Sequence, residues 1–304
     1  MGISRAYIYY YWSRQPRKVI EDWANPILFS IATLRKYTNC PIYVIDYSQN
    51  ADWQAFPQIL GFNVIKHDMR FHEFAFRNLN FFQRGGLSRN LDIFNLSKEL
   101  EFEEYIACDG DIFWIRPVSD ELSPDTFNYR AGNIGCYHWN KNSVQANTFI
   151  SLVSDLSIEA AVNTRLQDII KDKCQIGYFN DEAVFEYVRL SNPHLCSSDH
   201  YPYNGPLPDI LKSNGIEPFH NIHILHCWMP TDLAQIRGIM GLLIEEFREA
   251  ILIKLHPVFP KLPITTSISI AELPNFGVEK FLQLLRAFYL SIRSELNLKL
   301  EKFL

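Results

Sequence analysis

Three observations predict an α/β protein with a parallel, helix-covered sheet. Short, apolar, β-rich runs alternate with helical runs through the first 68 residues. A further helical run, 87–102, feeds directly into the apolar stretch "YIACDGDIFWIRP" at 105–117. The chain has 304 residues, of which 47% are apolar, enough for one large core with a small appendage.

The first strand is "AYIYYYW" (6–12), rich in aromatic residues that favour a buried pleated surface. A basic loop, "SRQPRK", follows. In "NPILFSIATLRKYT" Pro26 suits a helix start, and Ile27, Ile31 and Leu34 recur at helical spacing. "CPIYVIDYS" (40–48) reads as a second strand, 52–60 as a second helix, and "GFNVIKHD" (61–68) as a third strand. "FNYRAGNIGCYHW" (127–139) reads as a strand interrupted at Gly132 and Gly135. A helix is expected over about 144–173, and residues 191–221 carry the Pro, Asn, Gly and Ser of a loop. "NIHILHCWMP" (221–230) is a late short strand. In the last segment, Val278, Phe281, Leu285, Phe288, Ile292 and Leu296 lie on one helical stripe. That stripe suits packing on the main domain or a partner, and less well a membrane surface, because both charge signs occupy its polar side. The expected division is a catalytic domain over 1–255, with a donor half to about 118 and an acceptor half over 119–255, then a helical extension over 256–304.

The net charge of −5 offers no general attraction to nucleic acid or to an anionic membrane. The six cysteines form no C-x-x-C pair, which suits reduced, buried thiols. The start, "MGISRAYIYYYW", has no charged leader followed by an apolar stretch and a cleavage site. Ala6 stands where a myristoylation signal wants Ser or Thr. No apolar run approaches the roughly 20 residues needed to span a bilayer. A soluble, cytoplasmic protein is expected.

Asp109 and Asp111, one glycine apart, end the apolar stretch at 105–117. Buried carboxylates demand a positive partner. Residues i and i+2 of a strand share a face, so both side chains can converge, and Gly110 allows a close turn between them. Ligands of open α/β sheets bind beyond the carboxyl ends of the strands. A hard divalent cation is the simplest partner. The plainer alternative is a pair of loop-end aspartates capping a helix or turn.

With its alternating helices and strands, and an apolar strand running into Asp109-Gly110-Asp111 and "IFWIRP", the sequence resembles the GT-A-fold glycosyltransferases. The likeness extends over roughly residues 5–230, and only the D-x-D and its flanks are sharp. It implies a Rossmann-type, mixed, mainly parallel sheet flanked by helices. It also implies a nucleotide-sugar donor, UDP-linked by default, and Mn²⁺ or Mg²⁺ on the donor diphosphate. By this likeness Asp111 and Asp109 hold the metal, Asp109 also contacts the ribose, and Gly110 belongs to the same donor-binding turn. Arg89, on the helix before the strand, would hold the diphosphate or the motif; otherwise it is an ordinary solvated arginine. "YFNDEAVFEYV" resembles an acidic acceptor-side segment in which Asp181 or Glu182 is the catalytic carboxylate, unless Asn180 or Asp181 merely caps a helix. His226 is the expected third metal ligand, as in glycogenin-like and lipopolysaccharide galactosyltransferase-like enzymes, in preference to His223. One of the rings Tyr9, Tyr10, Tyr11 and Trp12 would stack on the base, with Tyr9 and Tyr11 as the candidates. Trp139, Tyr203 and Trp228 would offer faces to the acceptor sugar.

The sequence also departs from the pattern. Cys227-Trp228-Met229-Pro230 follows His226 where relatives often have a glycine and a phosphate-binding lysine. Phosphate charge would then fall to the metal, Arg89, or Arg14, Arg17 and Lys18. A nucleotidyltransferase of related fold would need a Gly-rich loop after the first strand, and a dehydrogenase a G-x-G-x-x-G; "SRQPRK" has no glycine. A metal-dependent phosphohydrolase usually needs a richer Asp/His set. A sugar- or nucleotide-binding module without catalysis is the non-enzyme alternative.

Overall fold

The computed structural model describes residues 4–12, 27–35, 37–48, 51–53, 56–67, 76, 78–114, 125–131, 133–198, 205–206 and 223–226. The boundary near 255, the helical extension, Arg14, Arg17, Lys18, Tyr203 and Trp228 lie outside them.

The alternation read from the sequence is present as β1 (Arg5–Tyr11), α1 (Ile27–Arg35), β2 (Ile42–Asp46), α2 (Phe56–Leu60) and β3 (Asn63–Lys66). Helix α3 (Phe81–Glu99) leads into β4 (Glu104–Cys108), and a tight turn leads on to β5 (Ile112–Trp114). There follow β6 (Phe127–Arg130), β7 (Asn133–Asn140), α4 (Val144–Val162), α5 (Thr164–Cys174) and α6 (Asp181–Ser191). Short strands β8 (Cys196–Ser197), β9 (Gly205–Pro206) and β10 (Ile224–His226) complete the described elements. Seven strands form one sheet in the order β3-β2-β1-β4-β7-β6-β8, and β5-β10-β9 form a second. In the larger sheet β7 runs antiparallel to β4 and β6, and the other neighbours are parallel. This is the mixed, mainly parallel, helix-flanked sheet expected from the sequence.

Strand β1 is central, with β2 and β4 paired on its two edges, and side chains on both its faces are buried: Ala6, Tyr7, Ile8, Tyr9 and Tyr11. Ile27, Ile31 and Leu34 of α1 are fully buried, as their spacing predicted. On the other side, Phe94, Phe127, Tyr137, Trp139, Phe149 and Phe185 form one aromatic core, with Phe127 stacked on Phe149 at a centroid separation of 4.7 Å. Such pairs contribute about 0.5–1.5 kcal/mol each beyond area burial.

Three boundaries differ from the expectation. Helix α3 begins six residues before Leu87, because Asn80 and Gln83 form a reciprocal capping box. The helix expected over 144–173 is two helices, because the Asn163 side chain caps α5 by accepting from Leu166 N–H. Gly135 does not interrupt a strand; it lies inside β7. Among the described residues no helix is long and apolar enough to cross a membrane. Cys108 and Cys136 are buried thiols, as the scattered cysteines implied.

Glu104 closes the end of β4 away from the turn. Its carboxylate accepts from Arg5 Nε at 2.8 Å, and His138 Nε2 lies 3.5 Å away. Burial opposes its ionisation, but the His138 ring and the Arg5 guanidinium overcome that and hold the carboxyl at about 2. Because the folded value is depressed, the stabilisation is present above about pH 4.5 and is lost as pH falls toward 2. Glu104→Gln is expected to cost about 2 kcal/mol at pH 6, and less at each step below pH 4.5. Urea unfolding across that range checks it.

Candidate active site

Asp109 and Asp111 lie just beyond the carboxyl end of β4, where an α/β sheet places its ligands. Their convergence is not strand alternation, because β4 ends at Cys108. Asp109 N–H still pairs with Gly135 O at 2.8 Å, and the chain then turns through buried Gly110 and Asp111 into β5. Strand β10 pairs antiparallel with β5 and places His226 opposite Ile112, beside Asp111. His226 Nε2 lies 3.2 Å from Asp111 Oδ1 and 3.8 Å from Asp109 Oδ2. One side of the ring packs on Gly135, where an added Cβ would lie 2.4 Å from His226 Cε1.

The second oxygen of Asp109 belongs to Arg89 of α3. Arg89 Nη1 donates to Asp109 Oδ1 at 2.7 Å, and Nη2 meets Asp181 Oδ2 at 3.0 Å. Nη1 also donates to the Tyr10 hydroxyl, and the guanidinium carbon lies 4.7 Å from the centre of that ring. Arg89 Nε has no hydrogen-bond partner among the described residues. Asp181 additionally accepts from Asn90 Nδ2 at 3.2 Å, and Asn90 Oδ1 accepts from the Tyr137 hydroxyl at 2.6 Å. Asp181 opens α6, where Asn180 is the N-cap through Ala183 N–H. Gly86 lets α3 approach this carboxylate, since a Cβ there would lie 2.6 Å from Asp181 Cγ. Glu182 turns elsewhere and accepts from Asn180 Nδ2 at 3.3 Å.

Burial pushes the Asp109 carboxyl up to about 7; Arg89 opposes the shift and the Asp111 charge adds to it. Burial also disfavours ionised Asp111, but His226 outweighs it and holds that carboxyl below its usual range. Burial disfavours the His226 imidazolium, while Asp111 and Asp109 outweigh it and raise the imidazole. The imidazolium so favoured supplies positive charge that two adjacent carboxylates require. Burial and the nearby Asp181 raise Glu182.

The donor set fits a divalent cation. One atom each of Asp109, Asp111 and His226 lie within 4.8 Å of one another. Ligands across one such ion, at about 2.1–2.2 Å bonds, are about 4.3 Å apart, so small side-chain adjustments suffice. Two carboxylates and one imidazole suit Mn²⁺ or Mg²⁺ better than a soft metal. Arg89 and Gly135 hold two of the three candidate ligands in orientation.

Tyr9 and Tyr11 offer no ring face to a nucleotide. Both are fully buried; the Tyr9 hydroxyl is held by Ser30 and Trp114, and the Tyr11 ring packs edge-on against Trp53. Trp139 is likewise core, stacked on Tyr105, and presents no face to a sugar. The partly exposed aromatics at this end of β1 are Tyr10 and Trp12. Among the described residues the cluster takes His226 and not His223. Sequence reasoning missed the contact of Tyr10 with Arg89, and it missed Asn90, Tyr137 and the glycine pair. That pair left a signal: two glycines inside a helix cost about 2 kcal/mol relative to alanine and call for a reason.

No protein-family model and no curated protein sequence matches the chain. Solved structures similar to it include mouse xyloside xylosyltransferase 1 in its apo form, at TM-score 0.46 and 12% identity over 75% of this chain and 99% of that one. Galactosyltransferase LgtC, in complex with donor and acceptor sugar analogues, gives TM-score 0.44 and 9% identity over 74% and 87%. A glycosyltransferase involved in glycosylation of the major capsid of PBCV-1 gives TM-score 0.43 and 11% identity over 79% and 98%. The sheet order of the chain itself carries the assignment of fold: a GT-A-type α/β architecture.

Proposed function

We propose that the chain is a metal-dependent glycosyltransferase, moving a sugar from a nucleotide-diphosphate donor, UDP-linked by preference, to a hydroxyl of a glycan or other acceptor. One observation supports this above the others: Asp109, Asp111 and His226 converge beyond the carboxyl end of β4. A divalent cation held there would offset the charge that builds on the departing diphosphate. The acceptor oxygen bonds to the anomeric carbon. The bond from that carbon to the diphosphate breaks and its electron pair leaves with the nucleotide. The hydroxyl proton passes to a carboxylate or to the released phosphate. Asp109 and Asp111 are holders of metal and donor, with Gly110 in their turn. Arg89 locks Asp109 to Asp181. Asp181 and Glu182 are the acceptor-side carboxylates, and burial with the nearby Asp181 raises Glu182. A cytoplasmic setting and the absence of a nucleic-acid partner belong to the same reading.

The test is release of nucleoside diphosphate from a panel of UDP- and GDP-sugars with Mn²⁺. The expected result is release with at least one donor and its loss in EDTA. Turnover untouched by chelator, or pyrophosphate release from a nucleoside triphosphate, would overturn it.

A further inference from the structure

A cavity of about 520 Å³ lies beside this site, between the end of β1 and the first turns of α3 and α6. That volume is in the range of small-molecule sites. Its inner wall carries Arg89 and Asp181, and its outer wall carries Tyr10, Trp12, Phe82 and Tyr178. Phe82 is 74% exposed and Tyr178 is 63% exposed. Among the described residues these are the two exposed aromatic side chains, and both border this one cavity. They are 96 positions apart in sequence. The fold brings them together by seating the start of α3 against the start of α6, where Gln83 Nε2 donates to Phe179 O at 2.7 Å. Trp12 packs edge-on against Phe82 at 6.4 Å, and it reaches that position because residue 85 is glycine: a Cβ there would lie 2.2 Å from the indole.

Resting on the function proposed above, we infer that the acceptor is an uncharged saccharide whose apolar ring face stacks on Phe82 and Tyr178. The charges of the described lining residues favour a neutral acceptor over an anionic one. Arg89 is the cation among the described lining residues, and its two terminal nitrogens are engaged by Asp109, Asp181 and Tyr10. Asp181 adds negative charge to the same wall. A phosphate or carboxylate on the acceptor would meet Asp181, and among the described lining residues both terminal nitrogens of the cation are already engaged. The neutral amides of Asn80, Gln83 and Asn180 complete the lining and suit hydroxyl groups. Aromatic faces with neutral hydrogen-bonding groups are the surface that a pyranose recognises, its C–H face on the ring and its hydroxyls at the edge.

Saturation-transfer NMR on the full chain tests this without turnover. The probes are methyl β-galactopyranoside, methyl β-glucopyranoside and their 6-phosphates. Wild-type protein is expected to saturate the ring C–H protons of a neutral glycoside and to favour it over its phosphate. Phe82→Ala/Tyr178→Ala is expected to weaken that signal about tenfold, and Phe82→Trp to retain it. Both side chains are exposed, so the variants should melt with the wild type. In the transfer assay, either single alanine variant should raise the acceptor KM about threefold with little change in kcat. Failure of any neutral glycoside to bind, tighter binding of the phosphates, or an unchanged signal in the double variant each overturns the inference. Because the NMR reads binding alone, donor turnover can fail while this result stands, and the reverse.

Discussion

Asp111→Ala is expected to abolish nucleotide-sugar turnover, a loss of about 10³-fold, while the protein melts within a few degrees of wild type. The Asp111 side chain is 37% exposed, and its removal leaves buried His226 with Asp109 at 3.8 Å as a remaining carboxylate partner. What it removes is a proposed metal ligand at the junction of β4, β5 and β10. The electrostatic help lost there matters most when charge develops on the leaving phosphate. Mn²⁺ affinity, followed by electron paramagnetic resonance, should fall in parallel with turnover. An Asp111→Ala protein that remains active and indifferent to EDTA would contradict the proposed chemistry.

Arg89→Met is expected to act on stability, with a cost of about 3–5 kcal/mol at pH 8. Arg89 is buried and bridges Asp109 to Asp181, and methionine fills its volume without its charge. Two carboxylates then face each other across a low-dielectric gap. Because burial already pushes the Asp109 carboxyl up to about 7, it escapes part of that cost by taking up a proton, and the loss should be smaller at pH 5 than at pH 8. Asp181→Asn in the same chain should recover part of it, a coupling that urea unfolding of the double-mutant cycle measures. A cost below about 1 kcal/mol at pH 8 would mean that the bridge carries little.

The parts of this fold that were readable in sequence were those written in local pattern. Ile27, Ile31 and Leu34 announced α1 by spacing alone, and "CPIYVIDYS" announced β2 by its apolar run. Asp109, Asp111 and His226 could be singled out because the aspartates follow the apolar run that ends at Cys108 and His226 ends another. The start of α3 was in the sequence as Asn80-x-x-Gln83, but the glycine pair that follows reads as a break. The choice among the tyrosines was not readable. A central strand covered on both faces loses the in-out alternation that would have separated Tyr10 from Tyr9 and Tyr11. The bridge from Tyr10 through Arg89 to Asp181 joins residues 79 and 92 positions apart, and no local pattern records such a distance.

His226 reaches the two aspartates on a strand of the smaller sheet, whereas Asp109 is anchored to the larger one through Gly135. An ion gripping all three side chains would therefore act as a rivet between the two sheets. Loading it would fasten β10 and β5 to the main body, so catalytic competence and local rigidity would rise together with metal occupancy.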